Sequence, residues 1–257
     1  MSTNHGAFCW YELMTSDLDA AARFYAGVFG WSVRDAVPGD ASYRLLSTPQ
    51  GPLGGMLAIT EAMRERGVPP CWTGYIAVDD VDTQAARIVA AGGALRHGPE
   101  DIPGVGRYAV VADPQGAVFI VFRDAGGQEP PSAAPAGTGR VGWHELHAAD
   151  GRTAFEFYAE QFGWLRGDAI DMGAQGVYQL YTRGAEALGG VMTKGASEPA
   201  PCWLYYVNVE AIDAAIARVG AGGGQVAMGP HEVPGGQWIA VATDPQGAWF
   251  AMVAPGR

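Results

Sequence analysis

The chain says the same thing twice. Trp10-Tyr11-Glu12-Leu13 returns as Trp143-His144-Glu145-Leu146, and the whole stretch 8–31 aligns with 141–164 without a gap. Leu53-Gly54-Gly55 returns as Leu188-Gly189-Gly190, and Pro70-Cys71-Trp72 as Pro201-Cys202-Trp203. Asp113-Pro114-Gln115-Gly116-Ala117 recurs letter for letter at 244–248. Because order is kept throughout, the repeat is a duplicated domain and not scattered chance matches. Each copy of the last motif has the chemistry of a type I turn. Asp bonds the local backbone, Pro presets φ, and Gly eases the exit. Apolar β-rich runs flank both copies, so the same hairpin closes two copies of one unit. The expected boundaries are a first domain over 1–124, a linker over 125–139 and a second domain over 140–257. The linker is rich in Pro, Ala and Gly and has no periodicity, which reads as a semi-extended connection.

With 257 residues, 48% of them hydrophobic, there is material for two cores. No apolar run approaches the roughly 18–20 residues of a membrane-crossing helix. The first residues lack a basic region followed by an apolar one, so no signal peptide is expected. Three cysteines, Cys9, Cys71 and Cys202, without a C-x-x-C pair read as buried free thiols in a reducing cytoplasm. The net charge of −11 disfavours nucleic acid as a partner, since phosphates call for Lys and Arg.

Within each half the pattern is strand, helix, strands, and then the same again. Residues 8–14 alternate as a strand. Asp17 is a helix N-cap, apolar residues follow at helical spacing, and Gly30 ends the helix. Strands are expected over 43–47, 55–60 and 72–78. Asp80 caps a second helix with Val81, Ala85, Ile88 and Val89 on one face. Strands follow near 94–97, 107–112 and 117–122. The second half repeats this, with helices near 150–162 and 211–220. The Gly-Gly pairs read as hairpin or bulge residues. No G-x-G-x-x-G opens a helix, so no nucleotide cofactor is expected.

The N-capped helix ending Phe24-Tyr25…Phe29-Gly30-Trp31, the Val78-Asp79-Asp80-Val81 junction and the Asp-Pro-Gln-Gly hairpin together resemble the vicinal oxygen chelate superfamily. That group includes glyoxalase I, extradiol dioxygenases, fosfomycin-resistance enzymes and bleomycin-binding proteins. The resemblance spans nearly the whole chain, twice. It implies an α+β fold of two tandem domains, each of two βαβββ modules forming a cup-shaped, partly open β-barrel. It also implies a ligand held in the cup and, in metal-using members, His or Glu ligands at four inward strand positions. Those positions fall here on Trp10, Met56 or Ala58, Thr73 and Ile120 in the first half. In the second they fall on Trp143, Val191 or Thr193, Leu204 and Ala251. A metal needs three or four convergent donors, so no metal and no other cofactor is expected.

Strand alternation then suggests what lines the cups. Trp10 and Glu12 share a face in the first half, and Trp143, Glu145 and His147 in the second. Glu12 and Glu145 read either as acid/base groups or ligand anchors, or as structural carboxylates. The Glu145/His147 pair exists only in the second half, where His147 replaces Met14, and a carboxylate can orient an imidazole two residues away. His144 should pack against the helix. Tyr43, Tyr75, Arg107, Tyr178, Tyr206, Asn208, Trp238 and Trp249 complete the candidate walls. Aromatic walls with a few polar tips suit a flat small molecule. The leading expectation is metal-independent binding of a small hydrophobic or aromatic metabolite. The alternatives are a cofactor-free lyase, isomerase or cyclase using Glu145 with His147, or a metal-dependent glyoxalase or oxygenase. The expected partner is a small molecule, with neither nucleic acid nor membrane, and the expected state is a monomer or weak homodimer.

Overall fold

The computed structural model describes residues 4–126 and 137–257; most of the expected linker, 127–136, lies outside the described residues. The first repeat runs β1 (Phe8–Thr15), α1 (Leu18–Phe29), β2 (Ser32–Val37), β3 (Asp40–Thr48), β4 (Gly51–Ala58), α2 (Glu61–Glu65), β5 (Cys71–Ala77), α3 (Val81–Ala90), β6 (Ala94–Ile102), β7 (Gly106–Ala112) and β8 (Val118–Asp124). The second runs β9 (Val141–Ala148), α4 (Gly151–Phe162), β10 (Leu165–Asp171), β11 (Val177–Arg183), β12 (Glu186–Thr193), β13 (Cys202–Asn208), α5 (Ile212–Ala221), β14 (Gln225–Glu232), β15 (Trp238–Thr243) and β16 (Trp249–Ala254). Each repeat is thus two βαβββ modules in an α+β fold. The strand order is β2-β3-β4-β1-β5-β8-β7-β6 in one sheet and β10-β11-β12-β9-β13-β16-β15-β14 in the other. Each sheet is mixed. β1 runs parallel to β4 and β5 to β8, while hairpin neighbours are antiparallel. The order is open-ended and does not close into a barrel.

The helix signals act as chemistry requires. The Asp17 carboxylate accepts from the Ala20 N–H at 2.9 Å, and Gly30 leaves the helix at φ 72°. Asp150 and Gly163 do the same for α4, and Asp80 caps α3. One face assignment is corrected. Val81, Ala85 and Ile88 of α3 are buried, but Val89 is exposed and Gln84 takes the inner place instead. Gln84 Nε2 donates to Gln161 Oε1 at 3.0 Å, so a polar pair fills a position that an apolar residue would otherwise claim.

Compact packing does not follow the sequence repeat. Of the described residues, one unit gathers 4–9, 74–126 and 143–204, and the other gathers 10–73, 137–142 and 205–257. Each unit therefore takes one module from each repeat. In the first unit the 113–117 turn is held by α4. Asp113 Oδ1 accepts the N–H groups of Gln115 and Ala117, and Tyr158 Oη donates to Asp113 Oδ2 at 3.1 Å. Trp203 Nε1 in turn donates to Tyr158 Oη at 3.1 Å. In the second unit Tyr25 of α1 donates to Asp244 at 3.1 Å and accepts from Trp72 at 2.8 Å. Both duplicated motifs are thus read by a tyrosine from the other repeat. Aromatic rings pack round each tyrosine, with Phe119, Phe162 and Trp164 in the first unit and Phe29, Trp31 and Phe250 in the second.

Candidate functional site

In the first unit β9 carries Trp143, Glu145 and His147 on one face, as alternation predicts. His147 sits between two carboxylates. Its Nε2 lies 2.7 Å from Glu145 Oε1 and its Nδ1 2.5 Å from Glu198 Oε2. Tyr178 Oη, from β11, donates to Glu145 Oε2 at 2.7 Å, and Trp143 Nε1 donates to Tyr178 Oη at 2.8 Å. Five residues from two strands and one loop form a single relay. Burial by itself would lower the His147 pKa. The hydrogen bonds and charges of Glu145 and Glu198 outweigh it and hold the imidazole above its ordinary value.

Glu198 was not among the residues singled out in the sequence. It lies in the loop between β12 and β13, where strand alternation has nothing to say. Its backbone and side chain fold back on Gly195, whose N–H donates to Glu198 Oε1 at 2.8 Å, and Lys194 Nζ donates to its carbonyl at 2.6 Å. A Gly-x-x-Glu loop after a strand was the available signal, and it is a weak one.

For the Gly-Gly pairs the bulge reading holds and the hairpin one does not. They lie inside β4 and β12, beside a register shift but not in a hairpin tip. A Cβ on Gly190 would stand 2.1 Å from the Tyr178 ring, and one on Gly189 1.8 Å from the His144 carbonyl oxygen. Gly190 is bare so that the tyrosine can lie across the strand and reach Glu145. Gly190→Ala is expected to displace Tyr178 and to cost about 1–3 kcal/mol by overpacking. Urea denaturation measures it, and unchanged stability with the Tyr178–Glu145 bond intact would contradict the assignment.

The second unit holds a shorter version. Trp10 Nε1 donates to Tyr43 Oη at 3.2 Å, and Tyr43 donates to Glu12 Oε2 at 3.1 Å. A Cβ on Gly55 would meet the Tyr43 hydroxyl at 2.0 Å. Burial first, then the Glu12 charge, drives the Tyr43 pKa well above the usual phenol value. Met14 stands where His147 would be, so no histidine follows the carboxylate on this strand face.

The remaining candidates do not join either relay through a described bond. Arg107 is held by Asp82 at 2.6 Å and Asp101 at 3.0 Å. Tyr75 is buried edge-on against Phe122, and Tyr206 is buried in β13. Asn208 Nδ2 donates to the Gly137 carbonyl at 3.4 Å. The Arg257 guanidinium lies over Trp238, and Trp249, at the start of β16, is 55% exposed. His144 is a packed histidine stacked on Phe8, with its pKa pushed down to about 4 by burial. Cys9 is buried, with its thiol pushed up to about 12, mainly by burial. Cys202, the first residue of β13, is exposed, not buried as expected.

The donor set does not fit a metal. The strand positions that the resemblance points to carry Trp10, Thr73, Ile120, Trp143, Leu204 and Ala251, which are not metal ligands except weakly at Thr73. No group of three or more His, Cys, Asp and Glu among the described residues converges on one point. Glu145 and Glu198 bind opposite nitrogens of one imidazole, so the three cannot meet at a single ion. Among the described residues no helix is long and apolar enough to cross a membrane.

The fold and its two relays define a tandem α+β protein of open mixed sheets. The sequence matches the model of the Glyoxalase/Bleomycin resistance protein/Dioxygenase superfamily over residues 7–121 and again over 140–252, and the chain belongs to that superfamily. It is 32% identical over 247 residues to the Mycobacterium tuberculosis protein named "Putative glyoxylase CFP32", covering 96% of this chain and 94% of that protein. It is 34% identical over 266 residues to the anthracycline biosynthesis protein DauV of Streptomyces sp. (strain C5), covering 96% and 93%. Among solved structures, the Mn(II)-bound glyoxalase from Novosphingobium aromaticivorans superposes with a TM-score of 0.67 at 16% identity, over 98% of this chain and 83% of that one. An extradiol ring-cleaving dioxygenase from B. fuscum gives 0.65 at 15% identity, over 98% and 72%. These two likenesses concern the fold.

Proposed function

We propose that the chain binds a small hydrophobic or aromatic metabolite without a metal, and that the Glu145–His147 pair moves a proton on it, as in a lyase, isomerase or cyclase. One observation carries this reading: His147 is clamped at 2.7 and 2.5 Å between two carboxylates. An imidazole held that way is oriented and kept ready to carry charge, which is what acid–base catalysis asks of it. The cluster is present in one repeat only, so common structure of the duplicated fold does not require it. The name of the Streptomyces relative, an anthracycline biosynthesis protein, supports a polycyclic aromatic ligand, for which the Trp143 and Tyr178 rings are suitable walls. The donor mismatch described above supports metal independence. As parts of the same reading, the chain works in the cytoplasm as a monomer or weak homodimer, and a stable tetramer in solution would speak against that.

Glu145→Gln tests it. Planar aromatic hydroxyketones are titrated by calorimetry, and exchange of their C–H protons with deuterated water is followed by NMR. Retained affinity with exchange reduced roughly a hundredfold or more supports proton transfer. A second reading, binding alone, is favoured by the shorter relay, where Trp10, Tyr43 and Glu12 bond to one another without a histidine. It predicts no exchange in the unaltered protein and weaker affinity in Glu145→Gln.

A further inference from the structure

We propose that Glu198, His147, Glu145 and Tyr178 form a proton wire, with Glu198 as its port to water and the Tyr178 hydroxyl as the end that meets the ligand. The proposal rests on the acid–base reading above and gives it a direction. Three consecutive links have heavy-atom separations of 2.5, 2.7 and 2.7 Å, within proton-transfer reach. Side-chain exposure falls inward, from 32% at Glu198 to 17% at His147 and 10% at Glu145. Every member can both accept and release a proton. The next group along cannot. Trp143 Nε1–H only donates, so it ends the wire and steadies the phenol oxygen as that oxygen gains negative charge.

The transfers balance. A ligand C–H or O–H proton passes to Tyr178 Oη while the tyrosine's own proton passes to Glu145. The Glu145 carboxyl group turns to carry this proton from the Oε2 position facing Tyr178 to the Oε1 position facing His147, and gives it to Nε2 of the ring in its neutral form, making an imidazolium between two carboxylates. That imidazolium releases its Nδ1 proton to Glu198, which yields it to water. The reverse sequence protonates the ligand. The electron pair of the broken C–H or O–H bond stays on the ligand, and no oxidant or reductant is needed. In the second unit Met14 takes the place of His147, and its thioether carries no proton.

The wire is tested without a substrate, by measuring the exchange of the His147 Nδ1–H, the proton that faces Glu198, with water in ¹⁵N-labelled protein. In Glu198→Gln, which keeps the size and hydrogen-bonding reach of the side chain but cannot take a proton, exchange should slow about tenfold or more. Glu198→Asp should restore most of it. Glu198→Ala should also exchange slowly and be rescued by added formate. This is the arm to read if the glutamine variant does not fold. Equal rates in the unaltered protein and Glu198→Gln, or no formate rescue, would overturn the wire, because the proton then escapes by local opening. Tyr178→Phe should leave the His147 exchange rate unchanged yet abolish ligand C–H exchange. If ligand exchange survives in Tyr178→Phe, the ligand end has been placed wrongly. Full ligand exchange in Glu145→Gln would instead sink the acid–base reading itself, whatever the histidine does.

Discussion

Asp113→Ala is expected to lower stability by roughly 3–5 kcal/mol, since hydrogen bonds to a charged group contribute about 1.5–3 kcal/mol each and are not fully additive. The carboxylate accepts from Gln115 N–H at 2.8 Å, Ala117 N–H at 2.9 Å and Tyr158 Oη at 3.1 Å. Asp113 is itself buried. Alanine would remove the acceptor of all three donors and would open the turn that joins β7 to β8. A loss of that size is a large share of the ~5–15 kcal/mol that holds an ordinary domain together. Urea denaturation measures it, and a change below about 1 kcal/mol would show that the turn holds by other means. The pH dependence has a definite sign. Burial raises the native Asp113 pKa despite its hydrogen bonds. Between the unfolded value, about 4, and the raised native value, the folded chain binds more protons than the unfolded one. The contribution of this group is therefore complete below the unfolded pKa and is lost as pH rises through the native one. Asp113→Asn should flatten that part of the profile.

His147→Met, which copies the first repeat's Met14, is the second large effect. It removes the cation between Glu145 and Glu198 and leaves a carboxylate only 10% exposed without its histidine partner. Breaking a buried ion pair from one side costs about 3–5 kcal/mol, and partial exposure of the cluster places this case near the lower figure. The loss should be greatest below the unfolded histidine value, where His147 carries its charge, and fade as pH rises through the raised native value. The native pKa of His147 is raised, so its stabilisation is complete below the unfolded value, about 6.5, and is lost as pH climbs through the native value. Thermal melting across pH 5–9 would separate the two curves, and parallel curves would show that His147 is neutral throughout.

Much of the fold was legible because its signals are local and occur twice. Asp17, Asp80 and Asp150 cap helices by their own chemistry, and Trp143, Glu145 and His147 share a face because side chains alternate along a strand. What escaped depends on distant partners. Glu198 sits in an aperiodic loop, and only the folded chain brings it to His147. The α2 helix buries none of its residues, so it has no apolar rhythm to read. Gln84 looks like a surface residue until Gln161 is placed opposite it. Gly55 and Gly190 read as hairpin or bulge residues, and a further reason for them, a tyrosine ring laid across the strand, lies on a neighbouring strand.

The exchange of modules between repeats has an evolutionary consequence. Asp113 answers to Tyr158, and Asp244 to Tyr25, so each half of the gene carries one member of two partnerships. After duplication, neither copy was free to decay, because a lesion in one would disable a unit that contains part of the other. The copies differ at Met14 and His147, and also at the Gln84–Gln161 pair, which bonds across the repeats and has Ala215 and Val28 as its counterparts. A single repeat standing alone would need a second copy of itself to complete the same units, and the tandem chain supplies that second copy within one molecule.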